Sequence, residues 1–304
     1  MTTGSLARTA AVSGRVRGER RLGFYLTLPS YALMLLVTAY PLVYAVVLSL
    51  YNYRLTDPQG RQFVGLQNYI VVLADPLWWT DFATTLLITV TTVAVELVIG
   101  LFFAFVMMRI IRGRGPLRTA ILIPYGIITV VSAFIFRYAF ALDSGFVNTW
   151  LGLGDFNWFG ERWSALFVIC LSEVWKTTPF ISLLLLAGLV QVPEDVQEAA
   201  KVDGASAWQR LWKVTLPNMK AAIMVALLFR TLDAWRIFDN PYVMTGGASK
   251  TETLSFLAYR QNVSLVNLGM GSSISVLLFL TVVIIAFIFV KVFRTDLSQV
   301  RGDQ

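Results

Sequence analysis

The stretch whose reading decides this chain is residues 192–217, VPEDVQEAAKVDGASAWQRLWKVTLP. Pro193 suits the first turn of a helix, and Glu194 and Asp195 complement its positive end. Gly204 can take a left-handed conformation and stop that helix. Asp203 or Ser206 can then cap a second one. Trp208, Leu211, Trp212 and Thr215 recur at helical spacing as an apolar face, and Pro217 closes the segment. The expectation is a short helix, a bend and a second, amphipathic helix. Two uses fit: a helix lying among lipid headgroups, with Trp rings down and Lys213 up, or a docking element that enters a groove on a soluble partner.

Outward from this segment the chain turns apolar. Of 304 residues 57% are hydrophobic and 14% charged, against about a quarter charged in a soluble domain. Its 21 Phe, 11 Tyr and 9 Trp exclude disorder. Residues 22–53 and 261–290 carry no charge, 82–108 only Glu96, 119–142 only Arg137, and 163–192 only Glu173 and Lys176. Residues 221–243 are apolar to Phe229 and then hold Arg230, Asp233, Arg236 and Asp239. A helix needs about 20 apolar residues to cross the hydrocarbon core. The chain therefore reads as an all-α integral membrane protein of six transmembrane helices. The spans are about 22–50, 82–108, 119–141, 163–190, 221–243 and 271–294, in one transmembrane domain over 22–294. A loose N-terminal arm, 1–21, and a tail, 295–304, flank it.

Lys and Arg bias gives the orientation. With both termini in the cytoplasm, sixteen of the 25 basic residues fall in inner segments and six in outer ones. Trp78, Trp79, Trp158 and Trp163 then lie at the outer edges, where indole rings settle among headgroups. Arg20-Arg21 loosely resembles a twin-arginine signal, but the uncharged run after it is too long for a signal-peptide core, so it reads as a first span that stays.

The composition also bears on chemistry. The chain has no His, which removes Ser-His-Asp triads, His bases and most zinc sites, and Cys170 is its one cysteine. No Gly is followed by Lys, so the phosphate-binding pattern G-x-x-x-x-G-K-[ST] is absent and any ATP chemistry belongs to another polypeptide. No catalytic residue, metal ligand or cofactor is expected in this chain.

Glu198-Ala199-Ala200, three residues, Gly204, nine residues, then Val214, Thr215 and Leu216-Pro217 resembles the EAA signature of ABC-importer permeases, E-A-A-x3-G-x9-I-x-L-P. Val214 replaces the usual Ile, and a Pro often found some four residues after the LP is absent, with Ala221 and Ala222 in that region. Gly65-Leu66-Gln67-Asn68-Tyr69, Asp75-Pro76-Leu77-Trp78-Trp79, Phe238-Asp239-Asn240 and Thr245-Gly246-Gly247 are similar to carbohydrate permeases of the MalF/UgpA type. More narrowly, ILIPYGIITVV (121–131), EVWKTTPF (173–180) and ALLFRTLDAWRIFDN (226–240) look like permeases of actinobacterial trehalose importers.

The resemblance implies a type I ABC-importer permease fold in a bacterial plasma membrane, with a cytoplasmic EAA coupling helix. It implies a second homologous permease, with which the chain forms a path for a di- or oligosaccharide, trehalose favoured. Two cytoplasmic ATPases carrying ATP and Mg, and an extracytoplasmic sugar-binding lipoprotein, complete the assembly, and no nucleic acid is involved. Coupling to the ATPase then falls on Glu198, Ala199, Ala200, Asp203, Gly204, Leu216 and Pro217.

Charges inside the spans are the second signal, since each costs about 2.5–3.5 kcal/mol at a helix centre. Glu173 and Lys176 are three residues apart, as are Arg230 and Asp233, so each pair can meet on one helix face. Such pairs can lock spans together or serve the substrate. Arg137, near an outer end, can snorkel. After Asp233, WRIFDNPYVMTGG mixes rings with donors and acceptors, and Pro241 breaks any helix. Irregular backbone at membrane depth belongs beside protein or a water-filled cavity. Asp233, Arg236, Asn240 and Tyr242 are therefore candidates for a sugar path. Competing classes are an ion-coupled secondary transporter with Glu96 or Asp233 as proton site, a permease for another polyol such as glycerol phosphate, and a membrane-embedded enzyme.

Overall fold

A computed structural model describes residues 3–58, 60–110 and 113–302. Arg112 of the charge pattern and the extreme ends of the arm and tail, 1–2 and 303–304, lie outside these. Fourteen α-helices are described: α1 Thr3–Ser49, α2 Gln67–Ala74, α3 Pro76–Arg109, α4 Arg114–Gly126, α5 Thr129–Ala139, α6 Phe146–Leu151 and α7 Arg162–Val190. They continue as α8 Glu194–Val202, α9 Ala207–Arg210, α10 Leu216–Asn218, α11 Lys220–Ala234, α12 Asp239–Thr245, α13 Leu254–Tyr259 and α14 Leu268–Gly302. Two two-residue strands, β1 Tyr51–Asn52 and β2 Gln62–Phe63, pair antiparallel.

Among the described residues four helices are long and apolar enough to cross a membrane: Arg21–Ser49, Pro76–Arg109, Arg162–Val190 and Leu268–Val292. Two bent pairs raise the number to six if each pair is one span. The third expected span is not straight. It bends by 88° between Gly126 and Thr129, where Ile127 and Ile128 are extended. Pro124 removes a backbone donor, and the β-branched run Ile127-Ile128-Thr129 gives the helix little reason to continue. The fifth stops after fifteen residues at Ala234, short of the expected 243, and α12 resumes separately. At about 1.5 Å per residue, α11 alone is too short to cross. The arm read as loose is helical from Thr3, continuous with α1, and α14 carries through the tail to Gly302. Residues 3–20 contain no proline to interrupt that helix.

Helices α3 and α7 form the centre. Gly100 of α3 lets the two backbones close up, because a Cβ there would meet Ile181 Cγ2 at 2.7 Å. Below this contact Ala104, Met107, Ile181, Leu185, Leu189, Met219 and Ala226 make a core with α11. At the other end Ile88, Ala133, Leu166, Ile169, Ile237 and Val243 join α3, α5, α7 and α12. Val72, Trp78, Trp235, Leu254, Leu257 and Ile274 tie α2, α13 and α14 beside it. Helix α1 packs on α14, and its apolar side chains, Leu26 and Leu36 among them, remain largely exposed.

Candidate coupling segment and substrate path

Residues 194–218 form a helical hairpin at the end of the bundle where α3 and α7 finish. Glu194 and Asp195 occupy the first turn of α8, and Lys201 its last. Pro193 stands just before the helix, at the N-cap. Gly204 has φ +77°, a conformation an L side chain resists. There the Gly204 N–H donates to Lys201 O (3.0 Å) and the Ala205 N–H to Ala200 O (3.0 Å), closing the α8 carbonyls. Of the two expected caps Ser206 is the one used. Its hydroxyl accepts from Gln209 N, and its own N–H donates to Gln209 Oε1 at 2.8 Å.

The second limb of the hairpin does not end at Pro217. It continues to Asn218 and then bends by 70° into α11. Pro217 leaves its neighbours without the regular donor, and the backbone relaxes into a π turn over Leu211–Thr215. Gln197 Nε2 donates to Thr215 Oγ1 (2.8 Å) and ties the two limbs. Only Thr215 of the expected apolar face is buried. Trp208 and Trp212, packed edge to face at 5.6 Å, stay 68% and 56% exposed. Helix α11 is then seated firmly on α7: a Cβ on Gly188 would run into the Cβ of Ala222.

Ten residues along α11 stands Arg230, 1% exposed. Its guanidinium donates from Nε and Nη2 to both oxygens of Glu96 on α3. Nη2 also reaches Glu173 Oε1 on α7 (2.8 Å), and Nη1 reaches Asp233 Oδ2 (2.8 Å). Asn240 Nδ2 of α12 donates to Glu173 Oε2 (2.6 Å), and the Thr177 hydroxyl lies 2.7 Å from Glu96 Oε1. One cation thus joins three carboxylates from three helices. It does so through four bonds, two of them paired on Glu96, which a planar fork of five donors can supply and the three donors of a lysine ammonium cannot.

This arrangement corrects the expected pairing of Glu173 with Lys176. Glu173 turns to Arg230 and Asn240, while the Lys176 ammonium sits 5.8 Å over the Tyr125 ring. Arg137 does not snorkel: its Nη1 donates to Val243 O of α12 at 2.7 Å. Glu96 is the member that sequence spacing missed as a partner of Arg230. A lone carboxylate in 82–108 announces that some cation on another span must meet it, and spacing does not choose among Arg137, Lys176 and Arg230.

The four path candidates separate into different settings. Asp233 is 62% exposed along its side chain while anchored to buried Arg230. Asn240 is fully buried inside the cluster. Arg236 is exposed and its Nε donates to Leu232 O one turn back. Tyr242 is 43% exposed and stacks on Phe238 at 5.1 Å, with Phe256 and Tyr259 completing a four-ring cluster. Among the described residues, no group of three or more Cys, Asp or Glu could hold a metal ion.

A multi-span α-helical bundle with an exposed, glycine-stopped hairpin bent directly into a core helix is the build of a transport permease. Over residues 96–299 the chain matches the family of binding-protein-dependent transport system inner membrane components, and it belongs to that family. It is a multi-pass membrane protein, a permease of the ABC-importer class and not an enzyme. It is 52% identical over 281 residues to the trehalose transport system permease protein SugA of Mycobacterium tuberculosis, covering 92% of this chain and 91% of that protein. It is 38% identical to the trehalose/maltose transport system permease protein MalF of Thermococcus litoralis, covering 91% and 96%. Among solved structures, a chain of a bacterial ABC transporter involved in the import of the acidic polysaccharide alginate superposes with TM-score 0.78, at 18% identity, over 91% of this chain and 96% of that one. The type I permease fold is thereby established.

Proposed function

We propose that this chain is one of two homologous permeases of an ATP-driven importer for trehalose or a closely similar disaccharide. Two cytoplasmic ATPases, which hold ATP and Mg, and an extracytoplasmic sugar-binding lipoprotein complete the machine, and both termini of this chain face the cytoplasm. The disaccharide reading rests on the relatives at 52% and 38% identity, both named for trehalose transport.

The observation that carries the mechanism is the direct mechanical line from hairpin to core. Ala199, Asp203 and the 88% exposed Val202 share one side of α8, free to meet an ATPase, with Glu198 at its edge and Gly204 at the tip. Ala200 carries the bond that closes the bend, and Leu216-Pro217 sets the π turn above α11. A displacement of the hairpin therefore passes through the 70° bend into α11 and to Arg230. There it pulls on α3, α7 and α12 together. Asp233, Arg236 and Tyr242 line the sugar path, the carboxylate and guanidinium bonding hydroxyls and the ring supplying a flat apolar face. Asn240 acts from behind, by holding Glu173.

Uptake of labelled trehalose by cells carrying the complete importer tests this reading. Uptake should follow ATP and persist when the proton gradient is collapsed. Dependence on the gradient alone would assign the chain to ion-coupled transport instead.

A further inference from the structure

A groove of about 900 Å³ lies behind the hairpin, between the finishing turns of α3 and α7 and the inner side of α8 and α9. Its floor is apolar, with Phe105, Val106 and Leu189. Its rim is basic. Arg109 ends α3, Lys201 ends α8 and Arg210 ends α9, against one carboxylate, Glu194. Arg210 Nη1 donates only to Ala205 O, and among the described residues none of the three cations has an ion-pair partner.

We propose that this groove binds one anionic phospholipid of the leaflet on the hairpin side, its phosphate held by Arg109, Lys201 and Arg210 and its chains on the apolar floor. Three features choose a lipid over the ATPase. On α8 the groove-lining residues 194, 197 and 201 fall on one side of the helix, and Ala199, Val202 and Asp203 fall on the other. The side presented to a soluble partner is thus not the side that lines the groove. The floor also opens sideways: Phe102 and Val190 at its edge are 61% and 66% exposed and continue onto the flanks of two membrane-crossing helices. A protein docking from water would leave that flank uncovered, whereas an acyl chain runs along it. Finally, a basic pocket where spans meet the cytoplasmic surface is the setting in which anionic headgroups are recognised. The cytoplasmic placement and the choice of the side of α8 that meets the ATPase rest on the function proposed above.

Native mass spectrometry of the full chain, titrated in detergent with phosphatidylglycerol or with phosphatidylcholine of the same acyl chains, tests the site. Phosphatidylglycerol should be retained at least five-fold better. Lys201→Gln should lower its retention about five-fold, the equivalent of about 1 kcal/mol for one basic side chain near an anionic surface. Phosphatidylcholine should be unaffected, and Lys201→Arg should restore the wild-type value. Glu194→Gln should raise phosphatidylglycerol retention, a gain that misfolding cannot mimic. Equal retention of the two lipids overturns the proposal, as does an unchanged preference in Lys201→Gln. Displacement of phosphatidylglycerol by added ATPase subunit also overturns it, and would assign the groove to the ATPase dock.

Discussion

The hairpin at 194–218 and the ion cluster around Arg230 are joined by one helix, yet they are held together by opposite means. In the hairpin the constraints lie within the segment: a cap three residues long, a positive-φ glycine, a proline that forces a π turn, and one bond between the limbs, Gln197 to Thr215. Most of its surface is exposed, and its role needs a partner to complete it. In the cluster no constraint is local except Arg230–Asp233. Glu96 comes from 134 residues away and Glu173 from 57, and Arg230, Glu96 and Asn240 are almost wholly excluded from solvent. Local geometry thus stores a docking shape, while distant charges fasten the helices that must move together. If that contrast holds, damage to the hairpin should spare assembly and damage to the cluster should not.

The largest effect is expected at Arg230. Arg230→Met leaves Glu96 and Glu173 buried without their cation, a change that costs about 3–5 kcal/mol when one partner of a buried pair is removed. The protein should be depleted from the membrane, and what remains should melt far lower in detergent. The exchange Arg230→Asp with Asp233→Arg should not rescue it, because an aspartate at 230 would face Glu96 and Glu173. Recovery by that exchange would reduce the cluster to an isolated Arg230–Asp233 pair, as local as the hairpin.

Gly204→Trp is the matching test in the hairpin. It puts a bulky side chain at φ +77°, which costs about 1–3 kcal/mol of local strain. Among the described residues no heavy atom lies within 4 Å of the missing Cβ, so the bundle should assemble at normal membrane levels. Transport and ATPase copurification should fall at least ten-fold. Normal uptake with the ATPase still bound would make the hairpin a surface helix and no coupler.

How far the sequence reached follows the same division. The hairpin was legible almost to the residue, because Pro, Gly and a Ser-x-x-Gln cap act within four or five positions. Its Trp face is largely open, as either expected use leaves it in the chain alone, because headgroups or a partner's groove would supply the cover. The spans were legible as apolar lengths. The 88° break after Gly126 was not, because a hydropathy count does not register that Pro124 and three β-branched residues stand together in 124–129. The cluster was legible only as a set of costly charges. Helical spacing offered Lys176 to Glu173, but burial favours the pairing that satisfies most charges at once, and Arg230 can donate to three carboxylates where an ammonium over Tyr125 needs none.

Asp233 belongs to the cluster but is its open edge, part-buried at its bond to Arg230 and 62% exposed along its side chain, so its substitution should be intermediate. Asp233→Asn retains a hydrogen-bond acceptor for Arg230 while removing a charge that faces the opening. Weakening one such contact by about 0.5–1.5 kcal/mol raises the half-saturation for sugar uptake some two- to ten-fold. Membrane levels should hold within two-fold of wild type. Depletion on the scale of Arg230→Met would place Asp233 wholly in the scaffold and move the sugar path toward Tyr242 and Arg236.

The smallest effect concerns an ion pair outside both regions, which shows what burial does to a charge. Glu252 lies between α12 and α13, and its Oε1 is 3.0 Å from Arg260 Nε. Its side chain is 8% exposed and that of Arg260 is 37%. Burial pushes the Glu252 carboxyl above its ordinary 4.5, and Arg260 offsets part of that rise. A folded form that holds its proton to higher pH binds more protons than the unfolded chain in the window above 4.5. Stability contributed by this group is therefore complete below 4.5 and is lost as pH rises through the raised value. Glu252→Gln cannot ionise, so the α13 segment should show a flatter opening free energy between pH 4 and pH 7 by hydrogen exchange corrected for intrinsic rates. At pH 7 the variant should protect Leu254–Tyr259 as well as the wild type or slightly better. A wild-type segment that instead gains protection as pH rises would mean that Arg260 outweighs burial, and that this pair, unlike the cluster around Arg230, is held together by Coulomb attraction alone.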